Sequence, residues 1–85
     1  MTHDDYTIAK LTEALPVVLN VDGDDAELWM YRDKDGMWWV GYLLQKQKEW
    51  LKFKNGDYAV RREQLGEALS IMLEMLKVSG LMPND

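Results

Sequence analysis

The sequence predicts an α+β domain: an antiparallel meander sheet of four to five strands, with a short N-terminal helix and a long amphipathic C-terminal helix packed on the sheet. Turn motifs between apolar stretches, at 33–36 and 55–56, predict two hairpins. Apolar residues at helical spacing over 62–79 predict an amphipathic helix. The chain has 85 residues, the length of a single domain spanning 1–85. Because the order is helix, strands, helix, the helices are expected to pack on the sheet.

The N-terminal helix is predicted over residues 4–15. Asp4 and Asp5 offer N-cap oxygens, and acidic side chains suit the positive end of a helix dipole. Pro16 disfavours the helical conformation at the residue before it, so the helix is expected to end at residue 15. The stripe of residues at helical spacing is narrow and consists of Ile8, Leu11, Thr12 and Leu15.

Five strands are predicted from stretches rich in β-branched and aromatic residues. Their expected ranges are 17–21, 26–33, 37–45, 50–54 and 57–61. The turn at 55–56 has the sequence Asn-Gly, a strong hairpin signal. It is expected to place Lys54 opposite Asp57, and Phe53 opposite Tyr58.

The turn at 33–36 has the sequence Asp-Lys-Asp-Gly and fixes the register of the central hairpin. A three-residue loop that ends in a left-handed glycine places Arg32 opposite Trp38 and Tyr31 opposite Trp39. Side chains alternate between the faces of a sheet. One face is then expected to hold Leu28, Met30, Val40, Tyr42 and Leu44, with Arg32 and Trp38 at its end. The other holds Trp29, Tyr31, Met37, Trp39 and Leu43, so both faces are apolar where one is usually polar.

The C-terminal helix also carries more apolar surface than one contact requires. Its main stripe consists of Leu65, Ala68, Leu69, Met72, Leu73 and Leu76. A second row of Ile71, Met75 and Val78 lies beside it. Gly80 is expected to cap the helix, and residues 80–85 form a tail.

This apolar excess leaves two interpretations open. In one, the N-terminal helix covers the aromatic face and completes a three-layer core. In the other, the aromatic face or the second helix row binds a second copy of the chain or another protein. The candidate contact residues are Trp29, Tyr31, Trp39, Met37, Ile71 and Met75.

The charge distribution suggests two further functions. The net charge is −5, with nine acidic and three basic residues in 1–35 and six basic and two acidic residues in 45–62. The basic segment could bind nucleic acid by combining lysines with a stacking ring. Its candidate residues are Lys46, Lys48, Trp50, Lys52 and Lys54. Alternatively, the acidic residues could mimic phosphates, as in small inhibitors of the phage or mobile-element type.

The residue types exclude several kinds of chemistry. The chain has no cysteine and one histidine, His3, so thiolate metal sites, cysteine nucleophiles and histidine triads are excluded. The acidic stretch 22–25 lacks the ligand spacing of a calcium-binding EF-hand loop and is expected to be a solvated turn. We therefore expect no enzymatic activity, no cofactor and no metal.

The sequence favours a cytoplasmic location. No stretch has the ~18 apolar residues of a membrane span. The acidic, polar start differs from the basic and apolar start of a secretory signal. The overall expectation is a small non-catalytic protein-binding module, acting as a homodimer or as a regulatory or inhibitory accessory factor through its aromatic face.

Overall fold

The computed structural model describes residues 3–53 and 56–81, and side chains within 8–53 and 56–81. It has two helices and an antiparallel sheet, so the predicted α+β class is confirmed. In chain order the elements are α1 (His3–Ala14), β1 (Val18–Val21), β2 (Asp24–Arg32), β3 (Trp38–Leu44), β4 (Glu49–Trp50), β5 (Ala59–Arg62) and α2 (Leu65–Val78).

The central hairpin has the predicted register. Arg32 lies opposite Trp38, Tyr31 opposite Trp39, and the pairing continues to Ala26 opposite Leu44. The turn closes as expected, since the Gly36 N–H donates to the Asp33 carbonyl at 3.0 Å. Gly36 has a φ of 81°, the left-handed conformation that this turn requires.

The predicted meander runs from β1 to β4, and β5 departs from it because it pairs with β3 instead of β4. β4 pairs with residues 43–44 and β5 with residues 38–41. Since β2 occupies the other edge of β3 along its whole length, β4 and β5 share one edge. This pairing places Val60 opposite Val40, so that both side chains enter the core.

The second hairpin differs from the prediction. The Phe53 N–H donates to the Asp57 carbonyl at 2.9 Å, so Asp57 lies opposite Phe53, and the predicted pairing with Tyr58 is wrong. Gly56 adopts a φ of 91° and donates its N–H to the Phe53 carbonyl, which moves the closing pair by one residue. The expected pair of Lys54 with Asp57 lies outside the described residues, because 54 and 55 are not described.

The acidic turn between β1 and β2 is shorter than predicted. Asp22 and Gly23 have φ values of 51° and 85°, which identifies a two-residue type I′ turn. β2 therefore begins at Asp24. The side chain of Asp24 is buried, so the expectation that it is solvated is wrong. Its carboxylate accepts the backbone N–H groups of Lys46 and Gln47 at 2.9 and 3.2 Å and so fixes the β3–β4 loop.

The core lies between one face of the sheet and the two helices. The sheet contributes Leu19, Ala26, Val40, Tyr42, Leu44 and Val60, and α2 contributes Ala68, Leu69, Met72, Met75 and Leu76. The predicted main stripe of α2 thus faces the sheet. The helix begins three residues later than predicted, because Arg62 still belongs to β5 and pairs with Trp38 of β3.

The first helix packs beside the second one. α1 contacts α2, and Gly66 lies so close to Ile8 that an added Cβ would be 3.5 Å from its Cγ1. The segment after α1 is tied to β3 by the Tyr42 hydroxyl, which donates to the Pro16 carbonyl at 2.7 Å. Burial raises the pKa of Tyr42, so the hydroxyl keeps the proton that it donates. Both helices therefore lie on the same side of the sheet.

Candidate functional site

The sheet face that points away from α2, here called the outer face, is the candidate site. Residues directly opposite each other in a sheet share a face, so the register defines its members. They are Val18, Asn20, Asp25, Glu27, Trp29, Tyr31, Trp39, Gly41, Leu43, Trp50, Ala59 and Arg61. This set includes Trp29, Tyr31 and Trp39, so these three residues share one face as predicted.

Neither helix covers the outer face within the part of the chain that the structure describes. α1 packs against α2, and α2 contacts β3 and β5 from the core side. Trp29 is 45% exposed and Tyr31 is 42% exposed. The interpretation in which the N-terminal helix buries the aromatic face is therefore wrong for the described residues. The physical reason is that α1 finds its apolar contacts on α2 and on the core beside it.

Two aromatic rings of the outer face are packed against each other. The rings of Tyr31 and Trp39 are stacked, with centroids 6.1 Å apart and an interplanar angle of 6°. The guanidinium carbon of Arg61 lies 5.7 Å from the Trp39 ring centroid, a cation–π contact. These contacts give the patch a fixed shape before any partner binds.

Gly41 makes room for the indole of Trp50, the third indole of the outer face. A Cβ added at Gly41 would lie 3.0 Å from the ring of Trp50 and 3.0 Å from the Cβ of Ala59. The indole of Trp50 therefore lies directly against the backbone of β3. Because of this contact the ring of Trp50, a candidate stacking ring for nucleic acid, is half-buried on the outer face.

The carboxylate of Asp33 holds the end of the outer face in place. One oxygen accepts the Trp39 Nε1–H at 2.8 Å and the Arg61 Nε–H at 3.0 Å. The other accepts the backbone N–H groups of Asp35 and Met37 at 2.9 and 3.0 Å. Partial desolvation acts to raise the pKa of Asp33, but the donors from Trp39, Met37, Arg61 and Asp35 outweigh it and hold that pKa well below its usual range.

The contact between Asp33 and Arg61 is a feature that the sequence analysis missed. The two residues are 28 positions apart, and in the sequence Arg61 is recognisable only as one of the basic residues of segment 45–62. In the structure Arg61 forms ion pairs with Asp33 at 3.0 Å and with Asp35 at 3.4 Å. No local motif signals this pairing, because it depends on β5 joining β3 and not β4.

Carboxylates flank the aromatic part of the outer face at both ends of β2. Asp25 and Glu27 are exposed on the outer face near the start of that strand. Asp33 and Asp35 lie at the opposite end, where Arg61 partly balances them. The apolar centre is therefore bordered by negative charge.

The other predicted contact residues lie elsewhere. Ile71 and Met75 belong to α2, on the opposite side of the sheet from Trp29 and Tyr31, so the two predicted contact surfaces are separate. Met75 is buried in the core, while Ile71 lines an apolar groove of about 250 Å³. The groove is formed by Phe53, Ile71, Glu74, Met75, Val78 and Ser79. Met37 is half-buried at the β2–β3 turn.

The candidate nucleic-acid residues lie in different surroundings. Lys46 Nζ donates to the Gly23 carbonyl at 2.9 Å, beside the acidic β1–β2 turn. Lys52 Nζ lies 5.5 Å from the ring centroid of Tyr58. Lys48 is exposed in the β3–β4 loop with a φ of 58°. Lys54 lies outside the described residues.

The described residues form neither a membrane span nor a metal-binding cluster. Neither helix, as described, has the length and apolar character needed to cross a bilayer. No three acidic or histidine side chains in that part of the chain come together in a way that could hold a metal ion.

Comparison of the chain with protein-family models, with curated proteins and with solved structures gave no match.

Proposed function

We propose that the protein is a non-catalytic binding module that docks a partner protein on its outer face, as a regulatory or inhibitory accessory factor. The observation that carries this proposal is the exposure of Trp29 and Tyr31 on a sheet face that both helices leave open. Soluble proteins rarely expose contiguous apolar patches unless the patch contacts something. Tryptophan and tyrosine are also the residues that most often dominate binding energy.

The rigidity of the patch supports a role in binding. Asp33 fixes the ring of Trp39, and Trp39 in turn supports the stacked ring of Tyr31. Trp50 is held against Gly41. Side chains that are ordered before binding lose little conformational entropy on association, so more of the contact energy appears as affinity.

The charge of the outer face indicates the chemistry of the partner. Asp25, Glu27 and Asp35 place negative charge around the rings, and the chain as a whole carries −5. A complementary surface presents lysine or arginine at its rim and apolar side chains at its centre. Cations on the partner could also lie over the exposed rings. We therefore propose a protein partner with a basic, partly apolar contact surface.

Two exposed tyrosines provide a matched test. Tyr31 lies on the outer face and is 42% exposed, whereas Tyr58 lies outside that face, precedes β5 and is 52% exposed. Wild type, Tyr31→Ala and Tyr58→Ala are immobilised, and the proteins retained from a cell extract are quantified by mass spectrometry. A retained protein is then purified and titrated against each variant by calorimetry. Urea unfolding of each variant checks that it is folded.

We expect Tyr31→Ala to weaken binding of the purified partner by about tenfold or more, because a hot-spot side chain contributes about 2 kcal/mol. Tyr58→Ala should bind as the wild type does. Equal binding by all three proteins would contradict the proposal. Self-association of the wild type that Tyr31→Ala abolishes would also contradict it, since the outer face would then be occupied by a second copy.

A further inference from the structure

The free edge of β1, formed by the backbone groups of Val18 and Asn20, is a second interaction surface, distinct from the aromatic rings of the outer face. We infer that β1 pairs with β1 of a second copy, in antiparallel orientation, so that the two sheets become continuous. This inference does not depend on the proposed partner of the outer face. It follows from the backbone groups that β1 leaves unpaired and from the residues that border them.

The register of β1 with β2 shows which backbone groups point to the free edge. The Leu28 N–H donates to the Val17 carbonyl at 2.9 Å. In an antiparallel ladder, alternate residues exchange hydrogen bonds, so residues 17, 19 and 21 face β2. The N–H and C=O groups of Val18 and Asn20 therefore point away from β2. Within the described residues, no other strand pairs with this edge.

The two edges of the sheet differ in how they are protected. The opposite edge is divided between the short strands β4 and β5 and carries Glu49, Lys52, Arg61 and Arg62. Charged side chains and short strands normally prevent edge-to-edge association. Residues 17–21 have no charge, and Val17 and Val18 are 73% and 46% exposed. The β1 edge is therefore open to strand addition.

The neighbouring residues favour one register for a symmetric pair. If Val18 lies opposite Asn20 of the second copy, both edge residues of each chain pair, giving about four backbone hydrogen bonds across the two-fold axis. Moving the second copy by two residues in one direction places Pro16, which has no N–H, opposite Asn20. A shift in the other direction places Asp22, in the type I′ turn, opposite Val18.

This register also accounts for the exposed apolar side chains. Val17 would lie opposite the half-buried Val21 of the second copy, and Leu19 would lie opposite its own equivalent. No acidic residue would lie opposite another acidic residue, so the net charge of −5 does not prevent the contact. The two outer faces would lie on the same side of the joined sheet and form one longer binding surface.

Single cysteines test the register, because the chain contains none of its own. Val18→Cys, Leu19→Cys and Asn20→Cys are oxidised separately, and disulfide-linked dimers are followed by non-reducing electrophoresis. Residue 19 forms the non-hydrogen-bonded pair at the axis, where the Cα separation of about 4.5 Å lies within the range that a disulfide spans. We expect Leu19→Cys to cross-link about tenfold faster than the other two variants.

Molar mass by light scattering tests the association itself. With an edge contact this small, we expect a dimer that dissociates between micromolar and millimolar concentrations. Val18→Lys should shift the protein to monomer over the range in which the wild type is dimeric. Val78→Lys is the matched control, because Val78 is 70% exposed on α2. It should associate as the wild type does.

Three results would overturn the inference. The first is a wild-type mass that stays monomeric up to ~1 mM. The second is dimerisation that Val18→Lys leaves unchanged. The third is faster cross-linking at 18 or 20 than at 19. If Leu19→Cys does not fold, the light-scattering comparison decides, because Val18 and Val78 are both exposed. Partner binding that Tyr31→Ala weakens would stand in any of these cases, so the two proposals fail separately.

Discussion

At the scale of single residues, three positions owe their roles to partners in other elements of the fold. Asp33 connects the β2–β3 turn to Trp39 and Arg61. Asp24 supports a loop that begins 21 residues later and accepts its N–H groups. Gly41 gives space to the ring of Trp50. The outer face therefore depends on a few contacts that hold its rings in position.

The Asp33 carboxylate should make stability depend on pH. Its pKa in the folded protein lies well below the ordinary value of 3.8, so its ionised form stabilises the fold. This contribution is fully present above about pH 5 and is lost as the pH falls through and below ~4. We expect Asp33→Asn to lower the free energy of unfolding near neutral pH, with the difference from wild type shrinking towards ~pH 2.

Urea denaturation at a series of pH values measures this effect. Glu27→Gln is the control, because it removes the same charge from an exposed position of the outer face. A difference between wild type and Asp33→Asn that stays constant over the whole pH range would show that the hydrogen bonds of the carboxylate do not depend on its charge.

At the scale of elements, the sequence is most informative where contacts are local. The turn at 33–36 determines the register of β2 and β3, because a short loop with a left-handed glycine permits only one pairing. The stripe of α2 likewise determines which side of that helix is buried. Both features could be predicted from residues close together in the chain.

Longer-range features could not be predicted in the same way. The pairing of β5 with β3 joins residues about 20 positions apart, and it competes with the local hairpin signal at 55–56. The ion pair of Asp33 with Arg61 follows from that pairing. The position of α1 depends on α2, since its narrow stripe does not specify which surface it contacts.

The packing of α2 is tested by shortening one core side chain. Leu69 is fully buried between the helix and the sheet. We expect Leu69→Ala to lower the free energy of unfolding by about 2–5 kcal/mol, because it removes apolar contacts and leaves a cavity. Chemical denaturation measures the loss. On the exposed side of the same helix, Val78→Ala should change stability by no more than ~0.5 kcal/mol.

A small effect of Leu69→Ala would contradict this packing. A loss below ~1 kcal/mol would mean that the residue is not enclosed, and that another side of α2 faces the sheet.

At the scale of the whole molecule, the two sides of the sheet have different roles. The inner side and both helices form the core, which contains the large buried side chains Tyr42, Leu69, Met72 and Leu76. The outer face keeps its rings at the surface and surrounds them with carboxylates. This division supports the proposal that stability resides on one side of the sheet and partner binding on the other.

The most direct test of that proposal is to measure which aromatic residues a partner protects from solvent. The protein is exposed to hydroxyl radicals, free and in complex with a purified partner, and oxidation of each ring is quantified by mass spectrometry. Trp29 and Tyr31 should be oxidised readily in the free protein and protected in the complex, while Tyr58 should be oxidised equally in both. Protection of Tyr58 with unchanged oxidation of Trp29 and Tyr31 would show that the partner binds elsewhere.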